Sequence, residues 1–531
     1  MPEANDSVPG RMPIRPDSRL LLKITALFAM FWVVARACVQ AITIDEAVAY
    51  SNFALPTIPS HWVAHGANHV LNSALMRLFT SVFGASHLTV RAGAVIGAAV
   101  YIYTAHRLSR LIGRDSRLQW ALFVCLAFNP LILDFLVASR GYSLAVAFLA
   151  CAIGVVAWNL GEDTARGRRS LVGACALSSV CAALSFSANF AFAFVDAGAV
   201  VMVFLWACFG GPAAGLPRRE RIAERVRLLA ASVLPGLLGA AYLVGSALMH
   251  WRDVQLVYGA KSLRETLASL SEASFYQPNP YVVSPLVLEA VQKAALYILP
   301  LLGAFCVWRL ALILLHRSSP RGPHARWLLA LGTVAAGAGV LAIAGHELLF
   351  HLFGVLLPKD RTAVYLVFLI TLLMGILAAV PVPSRAGGWS RRGLAFLLFV
   401  LAGYYLCCLR LTYFKEWKWD SDVDRVYSVL AYYNHTCGIR DVPVNSRYDA
   451  SLNFYQELSR RENFSEFQSI TAYPAGRKAY VFYYPEDREY IETHGLNVVY
   501  LGESGAAVAL NPAAQGDHPC ETALPRTGIR W

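Results

Sequence analysis

The stretch Thr43-Ile-Asp-Glu46 sets two adjacent carboxylates directly after an apolar run, Leu20 to Ile42. A carboxylate placed there can take a proton from a hydroxyl. The same residues also spell a capping box, in which Thr43 and Glu46 satisfy each other's backbone N–H groups, and acidic side chains suit a helix start. Capping accounts for Glu46 fully and for Asp45 partly. Three further clusters hold polar side chains beside apolar segments. Asn129 to Tyr142, "NPLILDFLVASRGY", carries Asp134 and Arg140. Charges so close to an apolar layer tend to be paired or functional, and a mutual Asp134–Arg140 ion pair is the plain alternative. Gly66 to Phe79, "GANHVLNSALMRLF", carries Asn68, His69 and Asn72 at the head of a helix, with ordinary capping by Asn68 as the alternative. Leu357 to Leu366, "LPKDRTAVYL", carries Lys359 and Arg361, with a solvated loop capped by Asp360 as the alternative. Lysine and arginine can hold a phosphate, arginine through two parallel bonds. A proton acceptor beside phosphate-binding cations suits a sugar carried on a lipid phosphate, whose leaving group is anchored in the bilayer.

The elements that must position these groups are membrane helices. Of 531 residues, 57% are hydrophobic and 15% charged, against roughly 25% charged in a soluble domain. Apolar runs of bilayer-spanning length recur near 20–42, 88–108, 118–133, 142–160, 171–188, 190–210, 228–249, 286–315, 327–349, 362–381 and 393–411. Eleven spans put the basic groups at Arg11 to Lys23, Arg107 to Arg117, Arg166 to Arg169, Arg218 to Arg227, Arg309 to Arg326 and Arg385 to Arg392 on one side. The positive-inside rule makes that side cytoplasmic, so the net charge of +12 reflects topology and not a nucleic-acid partner. The four clusters then face outward. Residues 1–19 read as a disordered cytoplasmic N-terminus and 20–411 as the membrane domain, with long outer loops at 43–87 and 250–285. Lys359 and Arg361 lie on the outer side, against the positive-inside trend.

Composition shifts near residue 412. In the tail, 412–531, helical patterns near 421–434 and 448–460 alternate with strand patterns at "IRDVPVNS", "AYVFYYP", "LNVVYL" and "AAVAL". The expected fold is therefore a polytopic α-helical membrane protein with a small C-terminal α/β domain outside the cytoplasm. Cys437 and Cys520 both fall in that tail, where a disulfide is permitted. Their pairing stays open, because distance is not written in sequence.

The order "TIDEAVAY", "GANHVLNSALMRLF", "RAGAVIGAAVY", "NPLILDFLVASRGYSLAVAFL", "LPKDRTAVYL" resembles the GT-C superfamily of membrane glycosyltransferases. It is most similar to the branch with protein O-mannosyltransferases and the aminoarabinose transferases of lipid A. The resemblance covers roughly 20–411 and is best in the first 150 residues. It implies a GT-C fold and a polyprenyl-phosphate sugar donor. The acceptor would be a hydroxyl on a lipid, glycan or protein outside the cytoplasm, and the setting a bacterial inner membrane. The family's first-loop acidic motif falls on Asp45, implied as general base, and Glu46, implied as its support. Asn68-His69-Val70 matches a His-Pro-Pro-like segment with Val70 in place of proline. Asp134 and Arg140 match the aspartate and arginine of the second outer turn, implied to orient acceptor or donor phosphate. Arg361, helped by Lys359, is implied as a further phosphate contact. Many members invert the anomeric centre in a single displacement.

"HELLFH", His346 to His351, has one residue too many for a zinc-protease motif, since positions five apart point about 140° from each other on a helix. No metal or other cofactor is expected. A transporter or lipid flippase is the main alternative, disfavoured because such proteins place charges near the bilayer midplane. A scaffold that merely presents the tail gives no reason for four charged clusters on one face.

Overall fold

The structure, a computed structural model, describes residues 16–55, 68–113, 115–158, 167–210, 218–250, 258–276, 284–315, 323–381, 385–470, 472–515 and 520. The N-terminal segment as far as residue 15 lies outside them. So do 56–67 of the first outer loop and 251–257 and 277–283 of the second.

The chain runs through α1 (Pro16–Val39), α2 (Ile44–Ala49), α3 (Val70–Phe83), α4 (His87–Val90), α5 (Ala92–Leu111), α6 (Ser116–Phe128), α7 (Pro130–Phe135), α8 (Tyr142–Trp158), α9 (Gly167–Ala188) and α10 (Ala193–Gly210). It continues through α11 (Arg218–Met249), α12 (Leu263–Ser274), α13 (Pro285–Leu315), α14 (Pro323–Phe353), α15 (Val364–Ala379) and α16 (Arg385–Cys407). Among the described residues, eight helices are long and apolar enough to cross a bilayer: α1, α9, α10, α11, α13, α14, α15 and α16. The expectation of eleven spans is not met by this measure. The difference falls on the second to fourth. Asn129-Pro130 ends α6 at 13 residues, α8 has 17, and α5 closes on Arg107 and Arg110. Apart from the N-terminal turn of α6, α6 and α8 are buried almost throughout. They sit among other helices, where length need not match the lipid. Small residues bring the helices together, as is common for membrane bundles. At Gly97 of α5 an added Cβ would sit 2.6 Å from the Leu144 amide nitrogen of α8, so only glycine lets these two backbones meet.

The tail contains α17 (Val423–Cys437), α18 (Asp449–Ser459), β1 (Ala479–Tyr483), α19 (Tyr484–Thr493), β2 (Asn497–Leu501) and β3 (Ala506–Leu510). The sheet is antiparallel in the order β1-β3-β2, with Val481 opposite Val508 and an irregularity between Val498 and Tyr500. The all-apolar β3 is its buried centre. "IRDVPVNS" is not a strand: Val444 alone bridges to Ser469 and Val481, because the preceding Pro443 has no N–H to donate and a turn follows at Asn445–Tyr448. Cys437 and Cys520 are joined in a disulfide. Replacing both by serine should lower the stability of the tail by about 2–4 kcal/mol, measured by limited proteolysis of the full chain across a denaturant series.

The tail is not a separate lobe. Ile42, Ala47, Ala49, Tyr50, Ala54, Met76 and Val90 share one apolar core with Val423, Tyr427, Leu430, Tyr455 and β3. This contact puts the first loop and the tail on one side of any membrane. Polar bonds reinforce the seam. The Ile42 N–H donates to the Tyr455 hydroxyl at 3.1 Å, which lies 3.0 Å from Nε2 of His87. Nδ1 of His87 is 3.3 Å from the Cys38 carbonyl, so the ring proton belongs on Nδ1 and Nε2 accepts from the hydroxyl. Burial and the nearby Arg91 lower the His87 pKa to about 4. An unfolded histidine binds its proton near 6.5, so between about 6.5 and 4 the unfolded chain holds more protons and stability falls with falling pH. The stability of the full chain in detergent, followed through its melting temperature, should fall across that window by up to ~1.4 kcal/mol per pH unit. His87→Gln should flatten the dependence.

Candidate active site

Thr43 caps α2. Its Oγ1 accepts from the Glu46 amide at 3.2 Å, and Oε2 of Glu46 accepts from the Thr43 amide at 3.0 Å. This capping box turns Glu46 inward and leaves Asp45 on the other side of the helix start. Glu46 is wholly buried and has no free face. Its Oε1 accepts from Arg91 Nε at 2.9 Å and from the Ser139 amide at 2.8 Å, and its Oε2 accepts from Arg91 Nη2 at 2.7 Å. Arg91 spends its other N–H groups on the carbonyls of Ala37, in the last turn of α1, and of Gln40 and Ala41 just beyond it, at 2.7–3.1 Å. Burial alone would raise the Glu46 carboxyl. Arg91 and the two amides more than offset it and hold the group below the usual carboxylate range.

Asp45 keeps 29% of its side chain exposed. Its Oδ2 lies 3.4 Å from Arg140 Nη2 and 3.9 Å from Arg361 Nη2, and its own carbonyl accepts from Arg140 Nη1 at 3.3 Å. Arg361 is also paired with Glu416 and flanked by the rings of Tyr258 and Trp417 at 4.7 and 5.8 Å. Arg140 is aimed by Gly141, whose φ of +72° and closeness to the Ala188 carbonyl leave no room for a Cβ. His69 is buried with its ring 5.7 Å from that of Tyr142. Its Nε2 has no hydrogen-bond partner among the described residues. Burial, then Arg140 and Arg361, press its pKa well below the usual histidine value, which favours the neutral imidazole.

Asp134 and Arg140 do not pair with each other. Asp134 accepts from Arg36 Nη2 at 2.7 Å, from Arg410, and from the Lys415 amide at 2.9 Å. Against burial, which would raise it, Arg410 and Arg36 keep the Asp134 carboxyl low. Arg410 in turn lies over the rings of Tyr276 and Tyr413 at 4.6 and 5.5 Å. Lys359 stands apart from both groups: its Nζ is 3.4 Å from Glu265 and partly exposed. The loop bearing it is pinned by reciprocal backbone bonds between Ala260 and Leu357 at 2.7 and 2.9 Å.

Among solved structures, the chain is similar to ArnT from Cupriavidus metallidurans bound to undecaprenyl phosphate, at 13% identity and a TM-score of 0.43, over 94% of this chain and 99% of that one. It is also similar to the oligosaccharyltransferase AglB from Archaeoglobus fulgidus in complex with an inhibitory peptide and a dolichol-phosphate, at 13% identity and a TM-score of 0.43, over 96% of this chain and 75% of that one. No family model and no curated protein sequence matches the chain.

The structure thus gathers Asp45, His69, Arg140 and Arg361 at one point. It sets Glu46 behind them as a brace, gives Asp134 to a second, buried cluster, and leaves Lys359 at the rim. It also recruits residues that sequence reading passed over: Arg36, Arg91, Arg410, Lys415, Glu416 and Asp420. Several come from one stretch, "RLTYFKEWKWD", Arg410 to Asp420. Three cations and four aromatic rings just after the last apolar run were a usable signal. On the sidedness expected from the sequence they run against the positive-inside trend, as Lys359 and Arg361 do. Arg36 and Arg91 gave none, since their partners lie 45 to 98 residues away.

Proposed function

We propose that the chain is a GT-C-type glycosyltransferase that moves a sugar from a polyprenyl phosphate to a hydroxyl of a lipid, glycan or protein at the outer membrane face. One observation carries this reading: Asp45 presents a partly exposed carboxylate flanked by two guanidinium groups. In the reaction the acceptor oxygen bonds to the anomeric carbon. The bond from that carbon to the phosphate oxygen breaks, and the lipid phosphate leaves with the electron pair. Asp45 takes the hydroxyl proton. Arg140 and Arg361, already held side by side, turn part of their hydrogen bonding to the departing phosphate, with Lys359 adding charge at the rim. Glu46 and Asp134 act from behind, through Arg91 and through Arg36 and Arg410. The order of motifs along the sequence supports the same reading.

A transporter of the lipid-linked sugar is the competing reading, and Asp196, buried within α10, is the kind of group it would use. The deciding experiment reconstitutes the full chain in liposomes with radiolabelled polyprenyl-phosphate sugars and membrane extract as acceptor. Label appearing on a new acceptor supports transfer. Label that changes leaflet while staying on its lipid overturns it in favour of transport.

A further inference from the structure

The amide at the first turn of α2, Ile44 N–H, does not bond to the first loop. It donates at 2.9 Å to Oδ2 of Asp420, a buried carboxylate 376 positions away in sequence. Two residues earlier, Ile42 N–H donates to Tyr455. Both bonds flank Thr43, and Asp45 follows directly. The candidate base is therefore carried on a helix start whose backbone is held from outside by the C-terminal part of the chain.

Asp420 ends the Arg410–Asp420 stretch, which bonds Asp134 and then Arg361 in sequence order. Arg410 and the Lys415 amide bond Asp134. Glu416 pairs with Arg361. Trp417 lies between Arg361 and Phe135, with ring centroids 5.7 Å apart in the latter pair. Losing the Asp420 bond would free Asp45 to shift relative to Arg361, because residues of the same stretch hold the backbone of the one and the side chain of the other. Oδ1 of Asp420 is buried and has no bond of its own in the described structure, so Ile44 is the polar group this carboxylate demonstrably serves.

We infer that Asp420 is a positioning residue: through its bond to Ile44 N–H it sets the orientation of Asp45 against Arg140 and Arg361. The inference rests on the reading of Asp45 as the base. What it requires of Asp420 is an acceptor oxygen at this place, not a charge. Asparagine supplies that oxygen; alanine does not.

The test compares wild type, Asp420→Asn and Asp420→Ala as full chains in liposomes. Two readouts are taken: kcat and KM for the lipid-phosphate sugar, and amide hydrogen exchange over residues 42–50, which needs no activity. Misplacing a reacting group by about 1 Å can cost on the order of 10²-fold in rate. Asp420→Ala should therefore lose ~10²-fold in kcat with little change in KM, and exchange at 42–50 should quicken. Asp420→Asn should keep kcat within a few-fold and leave exchange slow. Unchanged exchange in Asp420→Ala would overturn the inference, as would quickened exchange with unchanged kcat. An alanine-like loss in Asp420→Asn, with exchange still slow, would also overturn it by showing that the charge is what matters. If the wild type transfers no sugar while exchange still responds to alanine, the reading of Asp45 falls and Asp420 remains a structural clasp only.

Discussion

Asp45→Asn should reduce sugar transfer by ~10²–10⁴-fold, the usual contribution of a positioned general base, while the protein still folds and inserts. Asparagine fills the same volume and keeps an oxygen for Arg140, 3.4 Å from the present carboxylate. The first turn of α2 is capped by Thr43 and Glu46, not by Asp45, so the helix survives the change. What the amide lacks is the capacity to take up a proton. The loss should appear in kcat, with KM for the donor changed little, because Arg140 and Arg361 stay in place. Transfer that persists at wild-type rates would remove Asp45 from the chemistry and reduce "TIDEAVAY" to a helix start. Equal melting temperatures for wild type and variant in detergent are the control for folding.

Arg91→Met should have the largest effect on stability. The guanidinium and Glu46 are both fully buried, and breaking such a pair by removing one partner typically costs about 3–5 kcal/mol. The carbonyls of Ala37, Gln40 and Ala41, in and just beyond the last turn of α1, lose this donor in the same step. Thermal unfolding of the full chain in detergent measures the loss. Adding Glu46→Gln to Arg91→Met should recover part of it, since no charge is then stranded. A melting temperature unchanged by Arg91→Met would mean that water reaches this pair and that Glu46 is not the brace described above.

Local structure was legible from the chain itself. The capping box of Thr43 and Glu46, the helix behind His69 and the strands Ala479–Tyr483, Asn497–Leu501 and Ala506–Leu510 follow from short-range spacing. Ion-pair partners did not follow. Asp134 and Arg140 are six residues apart and suggested a mutual bond, yet α7 and the Gly141 turn send them to different clusters. The partners of Asp134 are Arg36 and Arg410, which no local pattern connects. The count of eleven spans is not confirmed for a related reason: hydropathy does not distinguish a helix facing lipid from one surrounded by other helices, and α6 and α8 are the latter. The site itself was half visible. Charged residues were found where they crowd near apolar runs, and missed where a single arginine sits inside one, as Arg36 does in α1.

The bond from Ile44 to Asp420 has a consequence for how the protein comes to be active. Ribosomes deliver the N-terminal part first, so Asp45 leaves the ribosome and reaches its side of the membrane long before Asp420 has been made. Throughout that interval the helix start around Thr43 lacks its outer holds at residues 420 and 455, and Arg361 lacks Glu416. Contacts at such separations close late, because the loop between them must be ordered first. On the proposed reading, a nascent or truncated chain would carry Asp45 without its alignment, and activity should be absent from chains that stop before residue 420.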